Sequence, residues 1–182
     1  MPQNVLISGA PGIGKTSLIS HLNRDLTPLV IRGFYKEPVH ENKLLRGYRI
    51  SSFDFRELIL AHIHIVGPDR FGVFGLNLDG FEKFISRQLV VGKEVELFLI
   101  DEIGTMECLS ASFRQKILEV MDSNIPLIAT LASMDVLETL HIKQRKDISL
   151  LQMTLKNREL SINGLQLNQK SGPNPGRVLL QE

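Results

Sequence analysis

The chain of 182 residues has one cysteine, no tryptophan and two tyrosines. A lone thiol, Cys108, excludes an intrachain disulfide and a metal site of the CxxC kind. No apolar run approaches the ~20 residues of a membrane-spanning helix, so a membrane is not an expected partner. An excess of one charge is also missing. Lys and Arg number 21 against 20 Asp and Glu, a formal net charge of +1. With no strongly basic stretch, nucleic acid is not expected either. The opening MPQNVLISGAPG lacks the charged region and long apolar core of a signal peptide, so the expected location is cytoplasmic.

What is present is enough apolar residue to build a core, 43% of the chain, with 23% charged. That balance and length fit a single ordinary domain. Residues 1–160 are expected to form it. From Ser161 onward Gly, Pro and Asn are frequent and periodicity is lost, so 161–182 is expected to be a poorly ordered tail.

Apolar runs alternate with helical patterns, which predicts an α/β fold with a mostly parallel sheet. Strands are expected at Val5–Ser8, Leu29–Tyr35, Leu45–Ser51, Leu58–Val66, Val95–Ile100, Leu127–Leu131 and Ile148–Thr154. The second and third suggest an antiparallel hairpin turning at Glu41, Asn42 and Lys43. Helices are expected after Gly14, from a capping box at Asp79 and Glu82, from Ser112 and Gln115, and from Ser133. The run at Val95–Ile100 is apolar except at Glu96, as a strand covered on both faces requires.

Gly9, Ala10, Pro11, Gly12, Ile13, Gly14, Lys15 and Thr16 match G-x-x-x-x-G-K-[ST] at every fixed position. Such a loop turns backbone N–H groups inward around phosphate oxygens, and the following helix points its positive end at the same anion. Lys15 is expected to reach the β- and γ-phosphates, with the Thr16 hydroxyl on Mg²⁺. An apolar strand before the loop and a helix after it supply the context the motif demands.

A second apolar strand runs into two adjacent acids, Asp101 and Glu102. In P-loop proteins the acid at this place holds Mg²⁺, which assigns Asp101 to the metal with Thr16. A carboxylate directly after it is placed to activate a water against the γ-phosphate, which makes Glu102 and Lys15 the candidate catalytic residues.

Other features carry less. His62 and His64 share a face of an expected strand but have no third ligand at a recognisable spacing. Cys108 reads as a small core residue, and Met106 and Leu109 as packing against the sheet. Phe34, Tyr35 and Phe74 are expected in the core or at its rim, with stacking on a base the alternative. Arg145, Lys146 and Asp147 read as a solvated turn.

Taken with these motifs, the chain resembles the THEP-type nucleoside-triphosphatase family, the cancer-related nucleoside triphosphatases. Gly33, Phe34, Tyr35, Glu37 and Val39 are similar to a G-F-[YF]-T-E-E-V segment. Arg46-Gly47-Tyr48 is similar to R-x-G-F, one residue shorter. Residues Phe71 to Asn77, then Phe81-Glu82, resemble V-G-K-Y-G-V-N and its phenylalanine-glutamate. Asp101 to Glu107 is close to D-E-I-G-K-M-E, and Asn157-Arg158 to the close of E-N-R. The resemblance spans roughly residues 4 to 160.

It implies a RecA-like P-loop NTPase, three layers α/β/α with an antiparallel hairpin insertion. The implied activity is slow, Mg²⁺-dependent hydrolysis of several nucleoside triphosphates to diphosphate and phosphate. The second nucleotide-binding stretch it implies is Phe98, Leu99, Ile100, Asp101, Glu102, Ile103, Gly104 and Thr105. The chain departs from the family at three cations: Val73 and Thr105 stand where the motifs carry lysine, and His40 where arginine follows E-V. By motif position Arg70, Arg114, Arg145 and Arg158 are the candidate replacements. Two other readings of the same residues are a small-molecule kinase and a nucleotide-binding switch with negligible turnover. Base preference and oligomeric state are not legible.

Overall fold

The computed structural model describes residues 4–157. Arg158 and the expected tail at 161–182 lie outside the described residues. The chain order of strands is β1 (Asn4–Gly9), β2 (Ile31–Glu41), β3 (Leu44–Ser52), β4 (Glu57–His62), β5 (Arg70–Phe71), β6 (Phe74–Leu76), β7 (Leu97–Ile103), β8 (Leu127–Leu131) and β9 (Ile148–Met153). The helices are α1 (Lys15–Asp25), α2 (Leu78–Gln88), α3 (Ala111–Asp122) and α4 (Asp135–Thr139), and a 3₁₀ turn covers Glu107–Leu109.

All the strands belong to one nine-stranded sheet, in the order β5-β6-β4-β3-β2-β7-β8-β1-β9. From β2 through β7, β8 and β1 to β9 every pairing is parallel. From β2 outward through β3, β4 and β6 to β5 every pairing is antiparallel. The expected hairpin is therefore the first part of a larger antiparallel half that continues the same sheet. It turns where expected, with Asn42 and Lys43 both at positive φ.

The parallel half is covered on both faces. Leu18, Ile19 and Leu22 of α1 pack with Val5, Ile7, Leu97, Leu99 and Ile128 on one face. Helices α2, α3 and α4 cover the other, where Leu6, Phe98, Ile100 and Ala129 meet Phe81, Phe113, Ile117 and Val136. This accounts for the run Leu97-Phe98-Leu99-Ile100, in which each side chain is fully buried. The alternation of β1 between faces, Leu6 to one and Ile7 to the other, follows from the two-residue period of a strand. Phe34 sits at the centre of the second core, with ring centroids 6.0 Å from Phe81 and 6.1 Å from Phe113.

Several expectations need correction. Helix α2 is capped by Asn77, whose side chain accepts from Gly80 N, and not by Asp79. Glu82, the partner in the expected capping box, instead accepts a hydrogen bond from Ser110 Oγ at 2.8 Å. Ser110, not Ser112, caps α3 through Phe113 N, and α4 has no side-chain cap. Strand β4 ends at His62, so His64 lies beyond it and the two histidines do not share a strand face. Leu109 is half exposed, not packed on the sheet. The turn expected at Arg145, Lys146 and Asp147 is present with Lys146 exposed, and it is also tied down: Arg145 bonds Asp122 and Asp147, and Asn4 Nδ2 donates to Asp147.

Candidate active site

The loop Gly9–Thr16 leaves the end of β1 and enters α1. Gly12 and Gly14 have φ of 75° and 110°, a region a side chain would disfavour. Gly14 is the N-cap of α1, no side chain caps the helix, and its first turn holds no acid. The N–H groups of that turn therefore face the loop without a competing side-chain acceptor. The Lys15 side chain is nearly buried and folds back over the loop, donating to Gly9 O at 2.7 Å and Ala10 O at 3.4 Å.

Strand β8 lies between β1 and β7, so the acids of β7 stand one strand away from the loop. Strand β7 continues through Asp101 and Glu102 to Ile103, and its pairing with β8 shifts register between Ile100 and Ile103. Asp101 is only 2% exposed. Its Oδ1 accepts from Thr130 Oγ1 of β8 at 2.5 Å. Burial pushes the Asp101 carboxyl above the usual carboxylate range, and the hydrogen bond from Thr130 offsets only part of that. Thr16, in the first turn of α1 behind the loop, and Asp101, near the end of β7, were singled out separately by sequence and both lie at the C-terminal end of the parallel strands.

Glu102 projects to a different partner. Lys36 Nζ of β2 donates to Glu102 Oε1 at 2.8 Å and to Glu107 Oε1 at 2.9 Å. Strand register explains the meeting, since Tyr35 is opposite Asp101 in the parallel pairing of β2 with β7. Glu107 is fully buried, and its Oε2 has no hydrogen-bond partner. For Lys36, burial works against the charge, but Glu107 and Glu102 outweigh it and hold the ammonium well above its usual range.

Sequence reasoning did not single out Lys36 or Thr130. Thr130 is the one polar residue in the run Leu127–Leu131, and Lys36 occupies the threonine position of the G-F-[YF]-T-E-E-V segment; both were signals available in the sequence. Of the cations proposed by motif position, Arg158 lies outside the described residues and the other three are engaged elsewhere. Arg70 donates to Val73 O at the sheet edge. Arg114 donates to Cys108 O. Arg145 is paired with Asp122 and Asp147 beside Asn4, at the opposite end of β1 from the loop. Thr105 and Val73 are exposed.

Within the stretch Phe98–Thr105, the side chains of Phe98, Leu99 and Ile100 fill the two cores. Phe34 is fully buried, Tyr35 packs on Phe53 and Phe74 on Tyr48. Cys108 is buried, and burial pushes its thiol up to about 12. The His62 and His64 rings lie 5.2 Å apart, and no group of three metal-ligating side chains occurs among the described residues.

A family model described as NTPase matches residues 4–165. The nucleoside-triphosphatase THEP1 of Thermotoga maritima is 36% identical over 160 residues, covering 87% of this chain and 91% of that protein. The protein of the same name from Natranaerobius thermophilus is 32% identical over 161 residues, with 86% and 90% covered. Among solved structures, the crystal structure of THEP1 from Aquifex aeolicus superposes with a TM-score of 0.76 at 27% identity, covering 88% of this chain and 95% of that one. The solution structure of a human cancer-related nucleoside triphosphatase gives 0.72 at 25% identity, covering 88% and 93%. The chain belongs to the THEP1 nucleoside-triphosphatase family.

Proposed function

We propose that this protein hydrolyses nucleoside 5'-triphosphates to diphosphate and phosphate with Mg²⁺. The reading is carried by one observation: β1 and β7, parallel and separated only by β8, deliver the Gly9–Thr16 loop and the Asp101-Glu102 pair to the same C-terminal end of the parallel strands. The loop's backbone N–H groups and the start of α1, which no side chain caps, take the phosphates. Lys15, now satisfied by the carbonyls of Gly9 and Ala10, exchanges these for the β- and γ-phosphate oxygens.

The donors available for a metal are a hydroxyl and a carboxylate, hard oxygens that suit Mg²⁺. Asp101 fits this use on its own account. A carboxylate buried to this degree is poorly served by one hydroxyl partner, and its environment favours a cation beside it. Thr16 and Asp101 would hold the ion, which when bound would neutralise charge building on the transferred phosphoryl group. Glu102 is more open than Asp101 and has one oxygen, Oε2, outside its bond to Lys36. That oxygen orients a water and accepts its proton as the water attacks the γ-phosphorus. Diphosphate then leaves as the bond to its oxygen breaks.

Glu102→Gln tests this assignment. It keeps the shape of the side chain and removes the base, so phosphate release falls by roughly 10²- to 10³-fold while nucleotide binding survives. Full turnover in that variant would remove Glu102 from the mechanism.

A further inference from the structure

The cluster of Lys36, Glu102 and Glu107 is not used up by phosphate binding or metal binding. Its geometry is unusual for a strand surface: two carboxylates share one ammonium, and one of the acids is fully buried with an oxygen left unpartnered. Burying a carboxylate without a full set of partners disfavours the folded state, so an arrangement of this kind needs a local reason.

Lys36 is held by two carboxylates and a ring face. Nζ bonds Glu102 Oε1 at 2.8 Å and Glu107 Oε1 at 2.9 Å, and lies 5.4 Å from the centre of the Tyr48 ring. Its side chain is 13% exposed. An ammonium so engaged is not free to pursue a phosphate. Among the described residues it is the one hydrogen-bond partner of the Glu102 side chain. Glu107 is fixed in turn by its packing: a Cβ added at Gly104 would stand 2.7 Å from Glu107 Oε2 and 3.3 Å from Glu102 Oε1. The absence of a side chain at 104 is what lets the two acids close on one lysine.

We propose that Lys36 is a positioning residue for hydrolysis: anchored by Glu107 and Tyr48, it holds Glu102 by Oε1 so that Oε2 alone faces the attacking water. The inference rests on Glu102 being the base. Buried Glu107 is then the foundation of the clamp, and its single charged contact directs Lys36 toward the site. The arrangement fixes the rotamer of Glu102 from a neighbouring strand, where thermal wandering of a half-exposed glutamate would otherwise spread the water over several positions.

The test compares steady-state phosphate release from ATP by wild type, Glu102→Gln, Lys36→Met/Glu107→Gln, and these three substitutions combined. The double variant removes the lysine together with its buried counter-charge, so no fully buried carboxylate is stranded, and Glu102 keeps its access to solvent. The expected result is a kcat lower by about 10- to 100-fold with KM changed less than about twofold, because what is lost is alignment and not nucleotide contact. In the Glu102→Gln background the same pair of changes produces no further fall, because Lys36 acts through Glu102. A merely structural role would not give that dependence on Glu102.

Wild-type kcat in Lys36→Met/Glu107→Gln, or an undiminished further fall in the Glu102→Gln background, overturns the proposal. If the double variant does not fold, Gly104→Ala decides. It keeps every charge while pushing on Glu107, so kcat falls with KM held, and an unchanged kcat overturns the clamp. Glu102→Gln separates the two levels of the account. Full turnover there defeats the assignment of the base and this inference with it. Slow turnover there beside full turnover in the Lys36 variant defeats the inference alone.

Discussion

At the scale of the residue, the site combines groups whose sequence meaning was plain with groups whose meaning depends on the fold. Lys15, Thr16, Asp101 and Glu102 could be named from two short motifs because their spacing is fixed by a loop and a strand end. Lys36 could not, because its partners stand 66 and 71 positions along the chain. Only the pairing of β2 beside β7 brings them together. Thr130 was hidden for the same reason, its bond to Asp101 crossing two strands that are separate in sequence.

Asp101 carries a prediction of its own at this scale. Its carboxyl is held above the usual range by burial, so the folded protein binds that proton more tightly than the unfolded chain does. Stability from this group is therefore fully present below its ordinary value of 3.8 and is lost as pH rises from there through the raised folded value. Asp101→Asn removes that loss. Without metal at neutral pH the variant is expected to be more stable than wild type by about 1 kcal/mol in urea unfolding, while Mg²⁺-dependent phosphate release falls by ~100-fold or more. A destabilised variant that still turns over would contradict the role given to this acid.

At the scale of the element, the apolar strands were the most legible parts. Leu127–Leu131 was expected and found with the same bounds, since a five-residue apolar run between turn signals has little other use in an α/β chain. Helix starts were legible to within a turn and then misassigned, because the capping-box spacing at Asp79 and Glu82 is duplicated by tertiary needs. Glu82 is used to bind Ser110, and Asn77 takes the cap. The hairpin of β5 and β6 escaped notice because strands of two and three residues are too short to show a period.

One strand pairing, β2 with β7, depends on a single glycine. Gly33 in β2 has φ of 128°, and a Cβ there would stand 2.0 Å from Leu99 O on the neighbouring strand. Gly33→Ala must either open the β2–β7 pairing or strain both strands. The expected loss is ~3 kcal/mol or more, read as a large drop in melting temperature or failure to accumulate as folded protein. A melting temperature within ~2 °C of wild type would show that this junction does not bind the two halves of the sheet together.

At the scale of the whole molecule, the sheet is one structure with two characters that meet at β2. The parallel half, sandwiched between α1 and the other helices, delivers the loop and the acids to the C-terminal end of its strands. The antiparallel half adds strands beyond β2, and its one side chain in the acid cluster, Lys36, comes from the shared strand. The alternation of helices and apolar runs announced the first half. The extent of the second was not readable, because β3 and β4 alternate only partly and their register shifts at bulges. No helix among the described residues is long and apolar enough to cross a membrane.

The central claim is that the loop and the acid pair form one hydrolytic site. It is tested most directly by phosphate release from ATP, GTP, CTP and UTP, each with and without Mg²⁺, with Lys15→Ala as the blank. The account predicts release from more than one of the four that requires Mg²⁺ and falls to the level of the blank in Lys15→Ala. Equal release from wild type and Lys15→Ala, or no release from any nucleotide with Mg²⁺ present, would contradict it.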